Sequence, residues 1–369
     1  MPSSAAVMPD PARDAARPAV SVIVPFHRGR QSLERVVTAL RQAADVAELI
    51  VVANGSDEDL SDLAQVPRLR ILSLPRPCGP AVARNRGAHA ASAPILAFID
   101  ADVIPHPDAV ARIVDDLADG AVAAVFGAYD HNPGHPGFFS QYRNLGHAFI
   151  HERARPDAQT FWGGLGAVRA SAFTAIHGFD ERFARPSIED IDLGYRLRDA
   201  GYTVRLDPRI RGTHLKRWTI WSSIVTDIRD RGVPWMQALL KFGALHNDLN
   251  VSWTGRLGLV FAYGVVGGLS IAPISERGGW IAAASAIGFV AVHAQMLRFF
   301  VRERGGTFAA GVVAGQLLHH LCNGVSMVVG TALWVLQRAG GWRTRWTVPS
   351  DPWSAAAPPA VGGASQELP

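Results

Sequence analysis

Residues 94–102 have the sequence PILAFIDAD, an apolar run that ends in two aspartates separated by one residue. The run is short and apolar throughout, so it predicts a buried β-strand rather than a helix. Asp100 and Asp102 follow at the carboxyl end of this strand. Two carboxylates there offer oxygen ligands to a divalent cation and leave coordination positions for a diphosphate. The pattern alone is frequent in proteins, so its interpretation depends on the neighbouring segments.

Three further short apolar runs, at residues 20–25, 49–52 and 69–72, predict additional buried strands. Helical patterns separate these runs, with apolar residues on one face over 33–40 and helix-favouring residues over 81–91. The alternation of strand and helix predicts an α/β fold with a Rossmann-like, mostly parallel sheet and helices on both faces.

Several polar residues fall at the predicted strand ends. Pro25 and His27 follow the first strand, Asn54 follows the second, and Asp100 and Asp102 follow the fourth. Ligands of open α/β sheets bind beyond the carboxyl ends of the strands. We therefore expect these loops to line one crevice.

The second half of this region is less regular. A strand is predicted at residues 122–126, and Glu189 and Asp190 open a helix that ends at Gly201. Acidic residues stabilise the N-terminus of a helix, so capping alone explains this pair at this point.

Composition narrows the classes of function. The formal net charge of +4 and the pI near 9.4 come from scattered basic residues, which argues against nucleic-acid binding and fits a domain beside anionic lipid. Cys78 and Cys322 are far apart and imply neither a disulfide framework nor a thiolate metal site. Residues 1–18 resemble a disordered leader rather than a signal peptide, which predicts a cytoplasmic first domain, and residues 338–369 predict a flexible tail.

The region after residue 217 predicts contact with a membrane. Residues 218–252 combine aromatic and charged side chains, which favours two short interfacial helices broken before Pro234, or ordinary amphipathic helices packed on the first domain. Residues 253–337 contain about three spans, at 257–274, 280–300 and 308–336.

The positive charges near the ends of these spans raise the question whether the last segment crosses the membrane fully. Three crossings would put Arg338, Arg343 and Arg345 on the outer side, against the positive-inside tendency. The last segment contains His319 and His320 in its middle, which also fits a broken or re-entrant helix, or a functional polar site.

Seven motifs occur along the chain in a characteristic order. They are VSVIVP (20–25), NGS (54–56), GPAVARNRG (79–87), FIDAD (98–102), WGG (162–164), GFDE (178–181) and EDIDLGYR (189–196). This ordered set resembles the family 2 inverting glycosyltransferases of the GT-A fold. The resemblance covers about residues 20–214. It implies a domain of the GT-A fold over residues 19–217, which ends where the predicted membrane-contacting segment begins.

The resemblance implies roles on the donor side of a site. Asp102 corresponds to the ligand of a Mg2+ or Mn2+ ion on the donor diphosphate, with Asp100 toward the ribose and the metal. Arg84 corresponds to a nucleotide-contacting arginine, and Pro25, His27 and Asn54 lie in the loops that would hold the nucleotide. A metal there neutralises charge on the departing diphosphate.

The resemblance also implies roles on the acceptor side. Asp190 corresponds to the general base that takes the proton of the acceptor hydroxyl, and Glu189 either orients the acceptor or caps the helix. Trp162, Gly163 and Gly164 resemble an acceptor loop in which the indole stacks on a sugar; a buried core tryptophan is the equal alternative.

Three positions depart from the family pattern. Ala53 stands where an aspartate usually contacts the base, and His27 stands where an asparagine is common. Processive synthases carry QxxRW, whereas this chain has His214, then Arg217 and Trp218, which we assign to acceptor binding. His214 is either a third metal ligand or a polar residue that ends a strand.

The sequence therefore predicts a multi-pass protein of the cell membrane with a cytoplasmic catalytic domain. Its expected activity is metal-dependent, inverting transfer of a sugar from a nucleotide donor, a UDP-sugar in the first instance, to a hydroxyl of a lipid-linked or membrane-associated glycan. The alternatives are a processive polysaccharide synthase, and a degenerate nucleotide-sugar binder without turnover.

Overall fold

The structure is a computed structural model that describes residues 18–243 and 252–340. Of the predicted leader (1–18) and the predicted tail (338–369), residues 1–17 and 341–369 lie outside these ranges, and residues 338–340 belong to the last helix. The strands are β1 (Val20–Phe26), β2 (Val46–Asn54), β3 (Leu69–Leu74), β4 (Ile95–Ile99), β5 (Val103–Pro105), β6 (Val122–Tyr129), β7 (Asp157–Ala158), β8 (Leu165–Arg169) and β9 (Thr203–His214).

Twelve α-helices occur in the described residues. They are α1 (Arg30–Leu40), α2 (Pro80–Ala90), α3 (Ala109–Ala118), α4 (Phe138–His151), α5 (Ala170–Ala175), α6 (Glu189–Asp199), α7 (Ile220–Val225), α8 (Val233–Phe242), α9 (Trp253–Ile271), α10 (Glu276–Val292), α11 (Ala294–Arg304) and α12 (Gly306–Gly340). The predicted α/β class is confirmed, with further helices after the sheet.

The nine strands form one mixed sheet in the order β3-β2-β1-β4-β8-β6-β9-β5, with β7 paired to β9. Strands β3, β2, β1 and β4 are mutually parallel, as the sequence pattern predicts. Strand β8 enters antiparallel between β4 and β6, and β5 pairs antiparallel with β9. The sheet is therefore parallel in its first half and mixed in its second half.

The parallel half brings the predicted strand-end loops to one edge of the sheet. Every residue of β4 is buried, and the core continues through β1, β2 and α2. Helix α2 lies so close to the sheet that a Cβ on Gly87 would come within 2.4 Å of the Cγ2 of Ile23. This close approach places the side chains of α2, including Arg84, beside the end of β4.

The helices after the sheet differ from prediction at Pro234. Helices α7 and α8 are joined without a break by a π-helical segment, Thr226–Gly232. Proline lacks the amide hydrogen that an α-helix requires, and a π-helical segment accommodates such a gap without ending the helix. The predicted break before Pro234 is therefore wrong.

Two of the last helices, α9 and α12, are long and apolar enough to cross a membrane, and α10 with α11 would make a third span if the pair is counted as one. The predicted span at 280–300 is not one straight helix, because α10 and α11 meet at a bend of 64°. By contrast, residues 306–340 form one continuous helix, so the broken or re-entrant alternative is wrong.

Helix α11 turns away because one of its faces packs on the first domain. Phe299 and Phe300 are buried in a cluster with Tyr142 and Leu145 of α4. The guanidinium of Arg304 donates hydrogen bonds to the side-chain oxygen of Gln141 and to the carbonyl of His131. The apolar helices and the sheet domain therefore share a packed interface.

A buried charge network adds a second connection at this interface. The guanidinium of Arg143 on α4 lies 2.8 Å from one carboxylate oxygen of Asp227 in the π-helix. The other oxygen of Asp227 lies 2.8 Å from the Nδ1 of His319 on α12. Although burial raises the pKa of Asp227, His319 and Arg143 outweigh it and hold that pKa well below its usual range. Asp227 therefore joins three helices as a charged carboxylate.

We expect Asp227→Asn to lower the free energy of unfolding by about 3 kcal/mol, because the substitution leaves the Arg143 guanidinium buried without a counter-charge. Denaturant unfolding of the detergent-solubilised protein measures the change. Asp230→Asn is the matched control: its partially exposed pair with Arg229 is expected to contribute less than about 1 kcal/mol. Equal losses from both variants would contradict the assignment.

Candidate active site

A buried arginine stands at the centre of the site. The Nη2 of Arg84 lies 2.8 Å from Oδ1 of Asp100, and its Nη1 lies 2.8 Å from Oε1 of Glu189. Arg84 and Glu189 are each 4% exposed. Burial raises the pKa of Asp100, and the charge of Arg84 opposes that rise. The guanidinium thus connects the end of β4 to the start of α6, two segments that are distant in sequence.

Glu189 is occupied by this arrangement. Its second carboxylate oxygen accepts a hydrogen bond of 2.9 Å from the backbone amide of Ser187. The structure therefore places Glu189 in contact with Arg84 and with the backbone just before its own helix, and not at the surface of the crevice.

Asp102 and His214 form the next pair. The backbone amide of Leu215 donates to the carbonyl of Asp102, and Oδ2 of Asp102 lies 3.5 Å from Nε2 of His214. The Nδ1 of His214 lies 2.6 Å from Oδ1 of Asn144 on α4, so the hydrogen of that nitrogen points to Asn144. In the neutral ring Nε2 then presents its lone pair toward Asp102.

This pair matches the donor chemistry of a divalent metal. A carboxylate and a neutral imidazole nitrogen facing each other are both acceptors, and a cation between them would satisfy both. The hydrogen bond that the ring of His214 donates to Asn144 is the kind of outer contact that orients a ligating histidine. Within residues 18–243 and 252–340, no group of three or more His, Cys, Asp or Glu side chains is placed to hold a metal. The two donors thus fit an ion that completes its coordination with diphosphate and water.

Asp190 lies in the first turn of α6, beside Gly163 of the 162–164 loop. Its Oδ2 accepts a hydrogen bond of 3.0 Å from the amide of Gly163, and its Oδ1 accepts one of 2.9 Å from the amide of Ile191. Burial, with the charge of Glu189, raises the pKa of Asp190 to about 6, while Arg84 and Arg231 act in the opposite direction. A carboxylate with that pKa is mostly ionised at neutral pH and still accepts a proton readily.

The residues of the predicted acceptor loop lie beside Asp100 and Asp190. The carbonyl of Gly164 accepts a hydrogen bond from the amide of Asp100, and a Cβ on Gly163 would come within 3.4 Å of the Cβ of Asp190. Trp162 is only 9% exposed and packs edge-on against Tyr129, with ring centroids 4.8 Å apart. The structure thus places the Trp162 indole within the core, where most of its surface is covered.

The loops after β1 and β2 are held to each other. The Nδ1 of His27 lies 2.9 Å from the carbonyl oxygen of Asn54. The side chain of Asn54 bonds the amide of Cys78 at 2.9 Å and the carbonyl of Gly79 at 3.0 Å. Pro25 is half-buried in β1. Asn54 therefore shapes the loop before α2, and His27 remains exposed at the crevice.

Basic residues follow β9; burial lowers the pKa of Lys216 among them, and the charges of Asp102 and Asp100 are near enough to oppose that shift. Trp218 lies between two cations, with the Arg143 guanidinium 4.4 Å and the Lys216 ammonium 4.2 Å from its ring centroid. Arg217 is exposed beside it. Arg231 of the π-helix is also near, because its charge lowers the pKa of Asp190.

The sequence did not predict four residues of this region as site residues. They are Tyr129, Asn144, Lys216 and Arg231. Only Lys216 carried a usable signal, because it stands within the segment 214–218 already singled out. The other three lie in a strand end and two helices whose relation to the crevice depends on the tertiary fold.

The mixed nine-stranded sheet, with its parallel first half and with helices that follow its strands, is a fold of the GT-A type. Residues 21–177 match the profile described as glycosyl transferase family 2, and residues 143–217 match one described as N-terminal domain of galactosyltransferase. The chain therefore carries a glycosyltransferase family 2 domain.

Curated relatives agree with this result. The chain is 31% identical over 237 residues to validoxylamine A glucosyltransferase of Streptomyces hygroscopicus subsp. limoneus. The matched region covers 54% of this chain and 52% of that relative. It is 30% identical over 204 residues to the pre-mycofactocin glycosyltransferase of Mycobacterium tuberculosis H37Rv, with coverage of 51% and 41%. The chain thus spans about half the length of the curated relatives it matches.

A solved structure extends the likeness of the fold. The mannosyltransferase PcManGT from Pyrobaculum calidifontis, in complex with GDP-Man and Mn2+, superposes with a TM-score of 0.50 at 17% identity and covers 88% of this chain and 89% of that one. At this identity the likeness concerns the fold alone.

We expect Arg84→Met to lower the free energy of unfolding by about 3–5 kcal/mol, because Asp100 and Glu189 would remain without the cation between them. Denaturant unfolding followed by circular dichroism measures the loss. Arg86→Met, an exposed position on the same helix, is the control and should unfold like the wild type. An Arg84→Met variant as stable as this control would show that the bridge does not hold the two segments.

Proposed function

We propose that this protein is a membrane-bound, metal-dependent inverting glycosyltransferase. It moves a sugar from a nucleotide-sugar donor, with UDP as the first nucleotide to test, to a hydroxyl of a lipid-linked or membrane-associated glycan. The observation that carries the proposal is the Arg84 bridge, which brings a metal-type pair, Asp102 and His214, and a base-type carboxylate, Asp190, to one crevice.

The proposed chemistry is an in-line displacement at the anomeric carbon. Asp190 accepts the proton of the acceptor hydroxyl while the oxygen of that hydroxyl bonds to carbon. The bond from carbon to the diphosphate breaks at the opposite side, and its electron pair leaves with the diphosphate. A divalent ion held by Asp102 and His214 would supply charge neutralisation for that diphosphate.

The donor side of this proposal has two supports. Arg84 and the loops after β1 and β2 lie beside the aspartates at the sheet edge where α/β proteins bind ligands. PcManGT, which shares the fold, is bound to GDP-Man and Mn2+. Ala53 is 7% exposed at the end of β2, so base contacts in this chain would come from neighbours such as His27.

The acceptor side is proposed from the position of the membrane helices. Ile220 and Trp221, the first residues of α7, are 52% and 70% exposed, which suits the level of lipid headgroups. Residues 216–218 connect this surface to His214 at the end of β9. We therefore place the catalytic domain against the cytoplasmic face of the cell membrane, with acceptors reaching Asp190 from the lipid side.

If Asp190 is the base, the rate of transfer should depend on pH. The proton acceptor must be ionised, so kcat/KM should fall about tenfold per pH unit below the pKa near 6 and level off above it. Asp190→Asn should lose transfer at every pH and retain Mn2+-dependent nucleotide binding. Initial rates with radiolabelled UDP-sugars between pH 5 and 8 measure both effects.

Asp199→Asn, at the exposed far end of the same helix, is the control and should keep both the rate and the profile. Undiminished turnover by Asp190→Asn would remove the base from the proposal.

If Asp102 and His214 are metal ligands, binding of UDP should depend on Mn2+ and on these two side chains. UDP with Mn2+ should raise the melting temperature of the wild type, and Asp102→Asn should lose that shift because half of the protein donor pair is gone. Asn144→Ala should weaken Mn2+ binding about 10- to 100-fold, because His214 loses the contact that orients its ring. Differential scanning fluorimetry in detergent measures these shifts.

The control for this series is Asp108→Asn, an exposed aspartate that pairs with Arg112. A full Mn2+-dependent shift in Asp102→Asn would show that the ion binds elsewhere.

A further inference from the structure

Helix α12 lies against other helices of the protein along most of its length. Near its start, a Cβ on Gly311 would lie 2.8 Å from the ring of Phe138 on α4. Near its other end, a Cβ on Gly330 would lie 2.7 Å from the Cβ of Met236 on α8. These two contacts are about 28 Å apart along the helix axis. That length nearly equals the hydrocarbon core of a bilayer, which is about 30 Å thick.

Both partner helices are fixed to the sheet domain. Helix α4 holds the ring of His214 through Asn144. Helix α8 packs on the start of α6, where Ala238 is buried in a cluster with Ile188 and Tyr195. The sheet domain carries exposed ion pairs on its surface and therefore lies in water. If α12 crossed a membrane along these contacts, α4 and α8 would have to enter the hydrocarbon with it.

The middle of the contact carries charged groups. His319 of α12 lies 2.8 Å from the carboxylate of Asp227, which also pairs with Arg143. One turn and a half further along, the hydroxyl of Ser326 donates to the carbonyl of Asp227 at 3.2 Å. In a crossing helix these groups would lie near the centre of the bilayer, where charged side chains are costly.

Helices α9 and α10 form a hairpin that meets α12 at its open end. The Nε2 of His293 lies 3.0 Å from the Nε2 of His320, and the hydroxyl of Tyr263 donates to the carbonyl of Leu321 at 3.0 Å. Farther from this contact, a Cβ on Gly268 would lie 2.5 Å from the backbone of α10. The open end of the hairpin is thus joined to α12, while its outer part, toward the turn between α9 and α10, packs on itself.

The outer part of the hairpin has the character of a membrane anchor. Helix α9 has 19 residues and α10 has 17, which are lengths that can cross a bilayer. Large apolar side chains on it are exposed, and Trp280 among them is 77% exposed. These side chains are Val260, Leu269, Ile274, Trp280 and Ile287.

Helix α12 also has an outward face, opposite to the one that meets α4 and α8. Its members recur at whole turns of the helix and are exposed: they are Ala310, Ala314, Val328 and Val335. Val328 is 66% exposed. At the end of the helix the guanidinium of Arg338 lies 4.3 Å from the centroid of the Trp334 indole. Such a pair keeps its charge in water and its apolar part in lipid, as at the level of headgroups.

We infer that, among the described helices, the α9–α10 hairpin alone crosses the membrane. Helix α12 lies flat between the sheet domain and the phospholipid surface, with its outward face in the lipid, as amphipathic helices at membrane surfaces do. Its end therefore stays on the side of the sheet domain. The inference rests on packing and does not depend on the proposed reaction.

This arrangement also removes the conflict that the sequence raises. A third crossing would place Arg338 on the opposite side of the membrane from Arg298 and Arg302. With α12 flat on the surface, all three arginines remain on the side of the sheet domain, in agreement with the positive-inside tendency.

The first test is cysteine labelling of the full chain in inverted and right-side-out vesicles from a bacterial host. The reagent is a maleimide that does not cross membranes. The background is Cys78→Ser, in which the remaining Cys322 is buried and should not react. Ala339→Cys, at the end of α12, should react in the same type of vesicle as Ser61→Cys of the sheet domain. Ala272→Cys, at the turn of the hairpin, should react in the other type.

Three results would overturn the inference. Ala339→Cys could react in the same vesicles as Ala272→Cys, which would mean that α12 crosses the membrane. It could react in neither type before detergent is added, which would place its end inside the bilayer. Ala272→Cys could react together with Ser61→Cys, in which case the hairpin does not cross. A failure of the proposed function would show in transfer assays and would leave these labelling patterns unchanged.

The second test measures the depth of nitroxide labels in vesicles of phosphatidylethanolamine and phosphatidylglycerol. Labels on Ala310→Cys, Val328→Cys and Val335→Cys should agree in depth within about 5 Å, although about 37 Å of helix separates the first from the last. Labels on Val260→Cys and Leu269→Cys of α9 are the control and should differ in depth by about 13 Å. A depth that changes steadily along α12, as it does along α9, would contradict the flat position.

Discussion

The candidate site depends on the ion pairs that the buried guanidinium of Arg84 makes with Asp100 and Glu189. These two ion pairs, each at 2.8 Å, join Asp100 at the end of a parallel strand to Glu189 at the start of α6. Asp100 is two residues before Asp102, the proposed metal ligand. Glu189 directly precedes Asp190, the proposed base. The bridge therefore determines the separation between the proposed base and the proposed metal position. A buried ion triad contributes little net stability but strongly disfavours arrangements in which any member is unpaired.

Helix α4 extends this constraint to the apolar helices. Consecutive residues on it face different partners: Asn144 holds the ring of His214, and Arg143 pairs with Asp227, which in turn contacts His319 on α12. One rigid helix thus connects the crevice to a helix long enough to cross a membrane. The sheet domain and the apolar helices are therefore physically joined beside the candidate site, as the proposed approach of an acceptor from the lipid side requires.

Much of the fold was predictable because its signals are local. Short apolar runs predicted β1 to β4, and the helix from Glu189 was predicted from its acidic start and from Gly201, which adopts a φ of +83° after it. Predictions failed where packing overrides local preference. Pro234 does not break its helix because a π-helical segment precedes it, and residues 280–300 bend because one face of α11 is buried against α4.

The sequence by itself determined the class of domain and the chemical types available to it, since ordered motifs and apolar periodicity are properties of neighbouring residues. The tertiary structure alone decided which groups meet. Arg84 and Glu189 are separated by 105 positions, and His214 and Asn144 by 70. Whether a tryptophan faces a ligand or the core depends on such long-range contacts. No local pattern encodes them, because they arise only when the strands and helices pack together.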